Sequence, residues 1–101
     1  MIIKICGIKT IETLLCCEKK KVNFFGMIFY SKSPRNISID DAKKLQIYSN
    51  NLNINGVGVF VNFNIDNLKR YIDDLELKYI QLHGNEDSKY IDNIKKTGVK
   101  I

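Results

Sequence analysis

Apolar residues fall along this chain in two alternating rhythms, short near-continuous runs and longer stretches with a helical period, divided by polar breaks. The first run, Ile2-Ile3-Lys4-Ile5-Cys6-Gly7, reads as a strand that ends in a thiol and a glycine. Thr10 then offers an oxygen to cap a helix, with Ile11, Leu14 and Leu15 at helical spacing on one face. That helix is expected to end near Lys19 to Lys21, where cations suit the negative end of its dipole, with Cys16 and Cys17 as small packed residues. Val22 to Tyr30 is almost unbroken apolar sequence, as in a strand covered on both faces. Ser31-Lys32-Ser33-Pro34-Arg35 interrupts it, and Ser38, followed by Asp40 and Asp41, opens a second helix that turns Ala42 and Leu45 inward.

After an Asn-rich break over 50–55, Gly56 to Val61 reads as a third buried strand, closed by Asn62. Asn64 caps a third helix whose Ile65, Leu68, Ile72 and Leu75 form one apolar stripe. Leu77 to Gly84 reads as a fourth strand, in which alternation puts Ile80 and Leu82 on one face and Gln81 and His83 on the other. Glu86 and Asp87 are expected to open a last helix through Ile91 and Ile94, stopped by Gly98, and Val99-Lys100-Ile101 begins a fifth strand. Strand and helix thus alternate at roughly 20 to 30 residues per unit, which demands right-handed crossovers and a parallel sheet. The fold class is α/β. A complete eight-unit barrel needs ~200 residues or more, so the choice lies between a small doubly wound domain and a barrel cut in two. Ending inside a strand favours the cut: residues 1–101 are expected to be the N-terminal half of a (β/α)8 barrel of the TIM type, four βα units and the start of strand five.

Composition narrows this further. A chain of 101 residues with 45% hydrophobic content supports one modest core. Its net charge of +5 is scattered, with Lys19-Lys20-Lys21 as the one tight basic run, and the aromatics sit in strand-like runs instead of alternating with an exposed basic stripe. Solvated faces, and no nucleic-acid partner, are therefore expected. Three cysteines form no Cys-x-x-Cys pair, and the adjacent Cys16 and Cys17 could bridge only under strain, which points to a reducing compartment. With no apolar run near ~18 residues and no leader pattern, a soluble, cytoplasmic protein without membrane attachment is expected.

Four strand-end motifs carry a family likeness: Lys4-Ile5-Cys6-Gly7-Ile8, Gly26 to Arg35, Gly56 to Asn62, and Gln81-Leu82-His83-Gly84. In this order and spacing the chain resembles the N-terminal half of phosphoribosylanthranilate isomerase, a (β/α)8 enzyme of tryptophan biosynthesis. The resemblance implies an intramolecular isomerisation of an aminoaldose to an aminoketose on a small phosphorylated substrate, without metal or organic cofactor. It implies Cys6 as the base that takes the sugar C2 proton. A free thiol titrates near ~8.5, so such a role needs surroundings that supply thiolate. It implies Arg35 as the clamp for the anthranilate carboxylate, since a guanidinium fork matches that planar anion. Gln81 and His83 are expected to line the substrate cavity, Asn62 is a weaker candidate of the same kind, and Lys32 reads as a loop charge. The family's general acid and its phosphate cradle belong to later strands, so these residues alone are expected to catalyse poorly. Two other readings compete: a flavodoxin-like binding module, and a non-catalytic half-barrel that associates with itself through its open sheet edges.

Overall fold

The computed structural model describes residues 2–101. Eight elements alternate along it: β1 (Lys4–Cys6), α1 (Ile11–Lys19), β2 (Phe24–Phe29), α2 (Ile39–Ser49), β3 (Asn55–Phe60), α3 (Ile65–Leu75), β4 (Tyr79–Leu82) and α4 (Ser88–Lys95). Each helix begins where the side-chain chemistry asks it to. Thr10, Ser38 and Asn64 accept hydrogen bonds from backbone N–H groups of the first turns, satisfying donors that a helix cannot satisfy itself. The last helix differs from expectation: Asp87 is its N-cap, and Glu86 stands outside it.

The four strands are all parallel and lie in sequence order β1-β2-β3-β4. This order settles the architecture. A flavodoxin-like sheet places its first strand inside the sheet, with helices on both faces. Here β1 is an edge, so the flavodoxin-like alternative is wrong: each crossover steps one strand in the same direction and lays its helix on the same side. The first part of a fifth strand is present as a parallel bridge between Lys100 and Tyr79, where Lys100 N–H donates to Lys78 O and Ile80 N–H to Lys100 O, both at 2.9 Å.

Register sorts the strand residues by face. Phe25, Met27, Phe29, Phe60 and Ile80 point at the helices, and all are buried. They meet Leu14, Leu45, Leu68 and Ile94, one fully buried anchor from each helix. On the opposite side of β2, Phe24 and Ile28 are half-buried. That opposite face is concave. Phe24 and Tyr79 lie two strands apart, about 10 Å on a flat sheet, yet their ring centroids are 5.1 Å apart, edge to face. Lys4 Nζ on β1 reaches Gln81 Oε1 on β4, across what would be about 14 Å of flat sheet. The sheet is curled like part of a barrel wall, with helices outside.

On the outer layer, α1 departs from its expected pattern. Leu14 and Cys17 are buried, but Leu15 and Cys16 are exposed, because only the next unit's helix packs beside α1. Among the described residues, no helix is long and apolar enough to cross a membrane.

Candidate active site

The C-terminal ends of β1 and β2 bring two of the expected site residues together. Cys6 is the last residue of β1, half-buried, on the concave face. It pairs in register with Gly26, where a Cβ would stand 2.8 Å from Cys6 Sγ and 3.1 Å from its Cα. The glycine on β2 leaves the space that the thiol fills. Gly7 then turns the chain away at φ +82°, and its N–H and that of Ile8 both donate to Gly26 O, at 3.0 and 3.1 Å. Two strands thus fix the sulfur's position without any side-chain tether.

Arg35 arrives from the loop after β2. Ser33 N–H donates to Tyr30 O at 2.9 Å, Ser33 Oγ accepts from Arg35 N–H at 3.1 Å, and Ile37 N–H returns to Ile28 O at 3.0 Å. This folded loop carries the Arg35 side chain over Gly7, so closely that a Cβ there would sit 2.9 Å from Nη1. Nη1 lies 3.5 Å from Cys6 O, a long contact, while the guanidinium remains exposed. Lys32, in the same loop, is exposed and makes none of the contacts that hold Arg35.

The other three expected residues occupy different ground. Gln81 is half-buried on the concave face, its Oε1 accepting from Lys4 Nζ, beside a hollow of about 360 Å³ that Phe24, Val57 and Tyr79 also line. His83 is exposed one step beyond β4, its N–H donating to Phe60 O at 2.9 Å. Asn62 follows β3 in a left-handed conformation, φ +50°. Its Oδ1 accepts from Asn85 N–H at 2.7 Å. Another hollow, of about 170 Å³, lies at the opposite ends of the strands around Gln46 and Glu76, far from the thiol.

Two residues escaped the sequence reading. Lys4 sits two positions before Cys6, so strand alternation alone places its side chain on the same face. Glu86 accepts from both Asn62 N–H and Gly84 N–H at 2.9 Å, and nothing local distinguishes it from an acid in a first helical turn. Cys17 is buried: burial chiefly, and then the neighbouring Cys16, push its thiol up, with Lys20 opposing. No cluster of three or more potential metal ligands occurs among the described residues.

Comparison with known proteins gives this arrangement its relatives. The chain is 39% identical to N-(5'-phosphoribosyl)anthranilate isomerase of Clostridium acetobutylicum over 99 residues, covering 98% of this chain and 46% of that protein. It is 40% identical over 94 residues to the tryptophan biosynthesis protein TrpCF of Buchnera aphidicola subsp. Diuraphis noxia, which it covers to 20%. The crystal structure of phosphoribosyl anthranilate isomerase from Thermotoga maritima superposes with a TM-score of 0.89 at 32% identity, covering 95% of this chain and 47% of that one. The chain thus spans about half the length of the isomerases it matches, and its curled sheet is a partial TIM barrel. The family model for N-(5'phosphoribosyl)anthranilate (PRA) isomerase matches residues 3–101, and with that match over nearly all of its length the chain belongs to the PRA isomerase family.

Proposed function

We propose that these residues form the base-bearing half of an active site that isomerises N-(5-phosphoribosyl)anthranilate to the corresponding 1-deoxyribulose 5-phosphate in tryptophan biosynthesis, in the cytoplasm. The observation that carries the reading is the convergence of Cys6 and Arg35 at one strand end, where the Arg35 side chain crosses Gly7 and its Nη1 lies 3.5 Å from the Cys6 backbone carbonyl. A solved member of the family is described in complex with reduced 1-(o-carboxyphenylamino)-1-deoxyribulose 5-phosphate, a ligand that joins a carboxylate to a phosphorylated sugar.

In this reading the Arg35 guanidinium grips the anthranilate carboxylate by two parallel N–H donors. The sugar, opened to a Schiff base, then lies with its C2 hydrogen toward Cys6. The Cys6 thiolate takes that proton, the C2–H electrons form the C1–C2 double bond of an enolamine, and the imine nitrogen accepts the displaced pair. Tautomerisation moves a proton to C1 and leaves the ketone at C2, so no electrons enter or leave and no cofactor is called for. Gln81, His83 and the Asn62 amide offer hydrogen bonds along the wall. The acid for ring opening and the phosphate cradle lie outside residues 1–101, which taken alone should turn over slowly or not at all. Such a span presents two unpaired sheet edges and is expected to associate with itself.

The test supplies strands five to eight from the Clostridium acetobutylicum relative and follows isomerisation. Arg35→Ala should raise KM roughly 10-fold or more with a smaller change in kcat, as expected for a lost charged hydrogen-bond pair. A complemented barrel that is folded but inert would favour the non-catalytic reading instead.

A further inference from the structure

We propose that Glu86 is a positioning residue: its carboxylate clamps the tips of β3 and β4 together and so holds Asn62 and His83 at the mouth of the site. One oxygen accepts from Asn62 N–H and the other from Gly84 N–H, each at 2.9 Å. Asn62 completes the clasp by accepting from Asn85 N–H at 2.7 Å. Two of these bonds, from Asn62 N–H and from Asn85 N–H, join successive loops beyond the end of the β3–β4 ladder at Phe60 and Leu82, and the Gly84 bond fixes Glu86 within its own loop. Between them sits His83, whose own N–H is tied to Phe60 O. Gly84 is needed for closure, since a Cβ there would stand 2.9 Å from Asn62 N and closer still to the Asn62 side chain. Glu86 also faces Tyr90, whose hydroxyl donates to Phe63 O at 2.8 Å and whose ionisation is pushed up by burial first and by Glu86 second.

The clamp is independent of turnover, and only its consequence for substrate rests on the proposed function. The experiment compares amide hydrogen exchange in the full chain as wild type, Glu86→Gln and Glu86→Ala. Glu86→Ala should speed exchange at Asn62 and Gly84 roughly 10-fold or more while Leu68 and Ile72 in α3 keep their rates. Glu86→Gln, which keeps the volume and one acceptor oxygen, should spare one of the two amides, shift the His83 ring resonances, and lower the titration midpoint of Tyr90. Wild-type exchange at both amides in both variants would overturn the proposal. So would a loss spread evenly over α3 and α4. Loss of isomerase activity in the complemented barrel with the clamp intact would count against the proposed function alone.

Discussion

At the scale of single residues, the site depends on two glycines that serve opposite needs. Gly26 provides room: a methyl group there must push on Cys6 Sγ and on the β1 backbone. We predict that Gly26→Ala destabilises the chain by about 1–3 kcal/mol, as overpacking does. Part of that loss should return when Cys6→Ala removes the sulfur, and a double-mutant cycle in urea measures the coupling. If the two substitutions are additive, the sulfur does not fill the space over Gly26. Gly7 provides conformation as well as room, because its φ of +82° and the Arg35 side chain above it both exclude a Cβ. The three thiols offer a further check. Cys16 is exposed, Cys6 half-buried and Cys17 buried with its thiol pushed up, so at pH 8 a thiol reagent should modify Cys17 last. Mass spectrometry of the modified chain, with Cys16→Ser to separate the adjacent pair, reads the order.

Elements were legible where a local signal and the tertiary outcome agree. Asn64 caps α3 with one oxygen accepting from Asp66 N–H and Asn67 N–H, and the Leu68, Ile72 and Leu75 stripe behind it is buried. Asn64→Ala should therefore cost about 1 kcal/mol in thermal or chemical unfolding, and no measurable loss would mean that water replaces the cap. The strand faces were legible too, since alternation separates Ile80 and Leu82 from Gln81. What sequence could not supply is what covers each face. Along the apolar run of β2, Phe25, Met27 and Phe29 pack on the helices while Phe24 and Ile28 face the hollow of the curl. Leu15 shares the helical spacing of Leu14 but lies outside the packed side of α1. Glu86 illustrates the same gap at the site: its partners Asn62 and Gly84 become neighbours only through strand pairing. Cys6 and Arg35 were singled out only through motifs, and the approach of Arg35 Nη1 to the Cys6 carbonyl depends on the folded loop after β2 and on Gly7, which those motifs do not reveal.

For the whole molecule, a sheet that curls with all its helices outside leaves one concave face and two edges. Its concave wall carries Lys4, Cys6, Phe24, Tyr79 and Gln81, a mixture of chemistry and apolar surface rather than a finished core. Global stability should respond to alkaline pH through Tyr90. Its folded-state ionisation lies above the ordinary value of 10.0, so the folded chain holds that proton more tightly than the unfolded chain. The resulting stability is present below about pH 10 and is lost as pH rises through the folded-state value. Tyr90→Phe should flatten that alkaline decline in urea unfolding followed from pH 8 to 11, and an unchanged slope would place the titrating group elsewhere. Size-exclusion chromatography reads the edges, where self-association is expected and a monomer with a cooperative melt would argue that they are protected.

In the proposed reaction the thiol at the end of β1 is the proton acceptor on which turnover depends. With strands five to eight supplied, steady-state isomerisation by wild type and Cys6→Ala should differ roughly 10²–10⁴-fold in kcat with little change in KM, as expected when a general base is removed. Turnover by Cys6→Ala at the wild-type rate would contradict the account.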